Sequence, residues 1–141
     1  MTSPLYFSAE YHAPRLTIWR ALQQPETWTA LTGIDEMIDY EMDGEDLAVI
    51  RWRSKIGPRR IRGETRVEAS AKPDFMTMVI DGGEVIALTT ASLFDSASGT
   101  RVDVVGELEP NGFMAHLILP VVANSIENSM PRALDRLNEF L

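Results

Sequence analysis

One amphipathic stripe stands alone at the end of a chain otherwise rich in strands, and it limits what the chain can fold into. From roughly Phe113 to the last residue, Ile118, Val122, Ile126, Met130, Ala133, Leu137 and Phe140 recur at three- and four-residue steps, the spacing of one helix face. Pro120 and Pro131 fall inside this stretch and predict a kink or a restart. Before it come one β-like run, two short helical pieces and about six further strands. A single long helix must therefore cover a whole sheet.

The first strand is expected over Leu5 to His12. Pro14 suits a helix first turn, and Leu16, Ile18, Trp19 and Leu22 give that helix one apolar side. Pro25 opens a second short helix through Trp28 and Leu31, closed by Gly33. Strands follow over Ile34 to Met42, Leu47 to Ile56, Arg60 to Ala69, Phe75 to Asp81, Glu84 to Phe94 and Thr100 to Glu109. Their connections carry turn chemistry: Asp43-Gly44, Gly57-Pro58, Lys72-Pro73-Asp74, Gly82-Gly83 and Ser96 to Gly99. Asn111 is placed to cap the long helix.

Alternation assigns the faces. Ala48, Ile50, Trp52, Ser54 and Ile56 share one side of their strand, and Arg51, Arg53 and Lys55 the other. In the next strand Ile61, Gly63, Thr65, Val67 and Ala69 oppose Arg60, Arg62, Glu64, Arg66 and Glu68. In the last, Val102, Val104, Gly106 and Leu108 form the dry side. The predicted class is α+β, a curved antiparallel sheet of about seven strands with two short helices and one long C-terminal helix. One helix across a wide curved sheet can leave a hollow, which small dry-face residues (Gly63, Ala69, Ala87, Gly106, Thr65) would enlarge and Met76 or Met78 would line. A filled core is the plainer alternative.

At 141 residues the chain fits one domain, residues 1–141. A formal net charge of −8 repels phosphate backbones and argues against nucleic acid as a partner. With no cysteine there is neither a disulfide nor a thiolate metal site, and a reducing cytoplasm is the expected compartment. Met1-Thr2-Ser3-Pro4 carries no basic segment leading into an apolar one, so no signal peptide is expected. No membrane span is expected either, since His116 and Pro120 interrupt the nearest apolar run, Phe113 to Ala123.

Several segments resemble the START-like superfamily (SRPBCC) of polyketide cyclases, dehydrases and lipid-transport proteins. They are "APRLTIWRALQQPETW", "LTGIDEMIDYE", "IGPRRIRGETRVEASAKP" and "SGTRVDVVGELEP", in that order and over nearly the whole chain. The glycine-proline turn, the glycine in the next strand and the late glycine-threonine are most similar to the carbon monoxide dehydrogenase G-subunit-like members. The resemblance implies a helix-grip fold around a pocket for hydrophobic small molecules. Some members are cyclases and some carriers, while the dehydrogenase-associated members assist a membrane-associated redox enzyme.

The expected ligand is thus a hydrophobic small molecule such as a lipid, quinone or polyketide-like compound, without cofactor or metal. Expected wall residues are Trp52, Ile61, Thr65, Met78, Leu88, Thr90, Val104 and His116, chosen by inward alternation. No residue is assigned a catalytic role. His116 is a weak candidate proton carrier for the alternative reading as a cyclase or dehydratase, with Thr65 or Thr90 holding a carbonyl or enolate oxygen. The simpler reading of His116 is a solvent-facing helix residue, and of Trp52 plain packing. A third alternative is an assembly protein with a protein partner, or a homodimer. The basic hairpin (Arg51, Arg53, Lys55, Arg59, Arg60, Arg62, Arg66) would then be a docking surface rather than a solvated face paired with the acidic run Asp35 to Asp46.

Overall fold

The computed structural model describes residues 4–31, 35–56 and 58–141. Seven strands form one antiparallel sheet in the order β1-β7-β6-β5-β4-β3-β2. They are β1 (Leu5–Tyr11), β2 (Glu36–Asp43), β3 (Asp46–Ile56), β4 (Arg59–Ala71), β5 (Phe75–Asp81), β6 (Val85–Ser96) and β7 (Gly99–Pro110). Strands β2 to β7 follow one another as hairpins because short turns can only join antiparallel neighbours. Helices α1 (Arg15–Leu22) and α2 (Pro25–Leu31) carry the chain from edge strand β1 to the opposite edge, β2. Helix α3 (Ala115–Arg136) ends in a 3-10 turn, Leu137–Phe140. The whole is a helix-grip fold, as the element order predicts. The expected roles of Gly33, Ile34 and Gly57 fall outside the described residues.

Two hairpin turns place glycine at positive φ, Gly44 at +66° and Gly83 at +89°. Pro14 opens α1 by accepting the amides of Thr17 (3.0 Å) and Ile18 (3.3 Å) at its carbonyl. Helix α3 runs unbroken through Pro120 and Pro131, contrary to the expected restart. Both prolines are exposed, so the carbonyls they leave without an intrahelical partner lie on the solvent side.

The apolar side chains gather in two clusters on the inner face. The larger joins Tyr11, Ile18, Trp19, Leu22, Met76, Met78, Leu93, Val102, Val104, Leu134 and Leu137 under α1 and the C-terminal half of α3. The smaller joins Leu47, Ile50 and Trp52 with Trp28, Met37, Ile61 and Ile80. Each large side chain so buried contributes about 1.5–3 kcal/mol relative to exposure. Trp28 packs against both clusters. Buried Gln23 ties them together, its Oε1 accepting the Leu47 amide at 2.8 Å. Trp52 therefore sits in the smaller cluster, with Trp28 of α2 packed against it.

The outer face carries the charges. Arg51 donates to Asp39 at 2.8 Å and to Glu41, and Arg53 to Glu36 at 3.3 Å. The bonds to Asp39 and Glu41 hold the Arg51 guanidinium above the usual arginine range. The basic hairpin and the acidic run thus meet as exposed ion pairs across β2 and β3.

Tyr11 locks the far end of α3 to β1. It is 1% exposed, and its hydroxyl donates to the Leu134 carbonyl. Burial first, and the nearby Asp135 charge second, push its pKa up to about 12. A raised phenol pKa means the folded state keeps its proton longer than the unfolded chain does. The stability this group supplies is intact below pH 10 and is lost as pH rises from 10 to about 12. Tyr11→Phe should flatten that part of a stability–pH curve and cost about 1 kcal/mol at neutral pH in denaturant titrations.

Candidate functional site

The long helix does not close evenly. Ala133, Leu134 and Leu137 at its C-terminal end are buried, whereas Met130, Ile126, Val122 and Ile118 are only half-buried. Its packing partners are β1, β6, β7 and α2. The inner face of the sheet shows the same gradient: Met76, Ala91, Leu93 and Val102 are sealed, while Ile61, Gly63, Ile80, Ala87, Thr89 and Gly106 stay partly open. The apolar surface left partly open thus lies on the N-terminal half of α3 and on the inner side of β4 to β7.

The start of the helix is tied to the β5–β6 turn. Asn111 does not cap it. Its side chain donates to the Gly83 carbonyl at 2.9 Å, and its amide donates to the Glu84 carbonyl at 2.8 Å. The Glu84 carboxylate accepts the Met114 amide at 3.1 Å, taking a free donor of the first turn. The β5–β6 turn therefore holds α3 at the height it leaves the sheet. Glu84→Ala should cost about 1 kcal/mol and speed amide exchange selectively over the first α3 turn.

Trp52 lies on the inner face of β3. Its indole N–H donates to Thr65 Oγ1 at 3.0 Å, and both residues are buried. Its ring lies on Gly63, directly across the β3–β4 ladder. A β-carbon on Gly63 would sit 2.2 Å from the ring atom Cζ2. Gly63 therefore does not widen the hollow as expected; the tryptophan occupies the space its missing side chain leaves. Gly106 does leave room, since a β-carbon there would meet only Thr89 Oγ1 at 3.7 Å.

The expected wall residues divide. Trp52, Thr65 and Ile61 come together on the inner side of β3 and β4, and Met78 and Val104 lie on the same face in the larger cluster. Leu88 and Thr90 do not face inward. Leu88 pairs in register with Val79 and Glu107, and Thr90 with Thr77 and Val105, all on the outer side. Thr90 exchanges a 3.0 Å hydroxyl contact with Thr77 there. On the same side Phe94 stacks under the Arg101 guanidinium at 4.7 Å. The inward residues of β6 are Val85, Ala87, Thr89, Ala91 and Leu93, and alternation missed Thr89 because Ile86, Leu88 and Phe94 on the outward side leave the two sides similar in apolar content. Pairing signals it: with Val102 and Val104 inward, the short Ser96-to-Gly99 turn places Leu93 and Ala91 opposite them. Ala69 also leaves the dry face, since a register shift between Val67 and Ala69 turns it outward.

His116 is exposed on the first turn of α3 and makes no hydrogen bond with a described residue. Among the described residues no cluster of His, Asp and Glu could hold a metal ion. No described helix is long and apolar enough to cross a membrane. A separate surface cleft of about 400 Å³ lies between α1 and the β4–β5 turn, but Arg15 bridges it to Asp74 and Asp95, so its cation is already paired.

The fold is shared with solved structures of low sequence identity. Protein CV1439 from Chromobacterium violaceum superposes with a TM-score of 0.72 at 13% identity, covering 99% of this chain and 98% of that one. Protein NE0264 from Nitrosomonas europaea gives 0.71 at 13% identity, covering 98% and 93%. TTHA0849 from Thermus thermophilus gives 0.71 at 16% identity, covering 98% and 96%. No family model and no curated protein matches the sequence. Sheet, helices and these superpositions define a helix-grip fold.

Proposed function

We propose that this chain binds a hydrophobic small molecule, such as a lipid, quinone or polyketide-like compound, in the groove between the N-terminal half of α3 and the inner face of β4 to β7. The observation that carries this is the uneven closure of α3. Its stripe is sealed at Leu134 and Leu137 and half-open at Ile118, Val122 and Ile126, and the inner face of the sheet is likewise half-open at Ile61, Ile80 and Ala87. Partly exposed apolar surface on two facing layers gains by filling, because a ligand removes both from water at about 25 cal/mol per Å². The wall residues are Trp52, Ile61, Thr65, Met78, Thr89 and Val104.

Within the superfamily, the "IGPRRIRGETRVEASAKP" and "SGTRVDVVGELEP" segments favour likeness to the carbon monoxide dehydrogenase-associated members. The chain acts as one domain over residues 1–141, in a reducing cytoplasm, as a binder rather than an enzyme. A cyclase role for His116 gains no support from an exposed imidazole, and the one ionisable side chain among the buried described residues, Tyr11, already donates to the Leu134 carbonyl.

Native mass spectrometry of gently purified protein should show bound apolar mass that organic extraction removes. A protein that is bare on purification and also takes up no hydrophobic probe defeats this reading.

A further inference from the structure

The Trp52–Thr65 pair has a direction. An indole N–H can only donate, so Thr65 Oγ1 must be the acceptor at 3.0 Å, and the threonine's own proton has to point elsewhere. Thr65 is 8% exposed, and its cross-strand neighbours are Ile50 and Ile80, with Gly63 and Val67 next on the same face. None of these side chains offers an acceptor. No described residue accepts the Thr65 hydroxyl proton. Trp52 cannot swing away to release the pair, since its ring is held flat between Gly63 and the Ile50–Ile61–Ile80 cluster. A buried donor without a partner is costly to leave unmet, and an incoming acceptor relieves that cost.

We propose that Thr65 is the polar anchor of the groove: its hydroxyl, oriented by the Trp52 indole, donates a hydrogen bond to an oxygen of the bound molecule. The ligand class is then an apolar body carrying a carbonyl or ether oxygen, not a pure hydrocarbon. This deepens the binding reading and rests on it. Trp52 acts through Thr65 as a positioning residue and does not itself reach the ligand oxygen.

The test uses two probes of one shape, 2-acetylnaphthalene and 2-isopropenylnaphthalene, which differ by a ketone oxygen against a methylene. Equilibrium dialysis against the full chain gives an affinity for each. The ratio of ketone to olefin affinity should fall about tenfold in Thr65→Val and stay within twofold of wild type in Thr65→Ser. An unchanged ratio in Thr65→Val, with both probes still bound, overturns the anchor and leaves the binding reading standing. So does a ratio kept in Thr65→Val but lost in the Trp52→Phe/Thr65→Val double variant, because the indole is then the donor. Failure of wild-type protein to bind either probe removes the groove reading and the anchor with it. Near-ultraviolet circular dichroism of each variant checks that the Trp52 environment and the fold persist.

Discussion

Gly63→Ala is expected to lower the unfolding free energy by about 2 kcal/mol, measured by denaturant titration. Two effects oppose each other. Alanine restricts the unfolded chain and suits a strand interior, which by itself would stabilise by about 0.5–1 kcal/mol. Against this, the new β-carbon would lie 2.2 to 2.6 Å from three atoms of the Trp52 ring, distances at which something must move. A bicyclic ring pinned among Ile50, Ile61 and Ile80 has no flexible end to fold aside. It must tilt as a unit, and that strains the cluster by about 1–3 kcal/mol. Tilting also pulls Nε1 from Thr65, a bond worth about 1 kcal/mol. The clash wins. The tryptophan emission should depart from that of wild type as the ring tilts and the indole N–H leaves Thr65, and the ketone-to-olefin ratio should fall with it. A stable Gly63→Ala protein with wild-type emission would contradict the flat stacking described above.

A larger loss, about 3–5 kcal/mol, is expected from Gly99→Ala, again read by denaturant titration. Gly99 begins β7 at φ +147°, a conformation L side chains rarely adopt. A β-carbon there would stand 2.3 Å from the Tyr11 carbonyl oxygen and 2.8 Å from the Ala13 amide nitrogen. Both are backbone atoms, so no rotamer change resolves the contact. The end of β1 would have to separate from β7 where Tyr11 pairs with Thr100. Two further contacts depend on that junction: the Thr100 hydroxyl donates to the Ala13 carbonyl at 2.7 Å, and the Tyr11 hydroxyl holds Leu134. The sealed end of α3 should loosen with it, and amide exchange in the last two turns of the helix should rise. A variant within about 1 kcal/mol of wild type would show that the β1–β7 junction is more compliant than its geometry implies.

The two glycines act on opposite ends of the same grip. Gly99 guards the closed end, where Tyr11, Leu134 and Leu137 exclude water. Gly63 guards the partly open end of the inner face, where the Trp52 ring lies against it and donates to Thr65.

The strand order and the lone covering helix were legible in the sequence, because hairpin turns are local. Asp43-Gly44 and Gly82-Gly83 mark chain reversals by residues that tolerate positive φ, and a stripe at helical spacing is visible without any partner. The charge separation on β3 and β4 was legible for the same reason, since one wet face imposes strict alternation. The face of β6 was not. Val85, Ala87, Ala91 and Leu93 on one side and Ile86, Leu88 and Phe94 on the other leave the two sides similar in hydrophobicity, and it is pairing with β7 that decides which side turns in. The outward turn of Ala69 depends on a register shift between β4 and β5, and the tilt of Trp52 onto Gly63 on a neighbouring strand. The direction of the Trp52–Thr65 bond, which leaves the Thr65 hydroxyl its own proton to donate, exists only when two side chains thirteen residues apart meet. Local signals act over a few residues, so a chain can announce its turns and periods alone; the handedness of a face, the height of a helix and the partner of a buried hydroxyl arise from contacts between segments, which only the folded molecule contains.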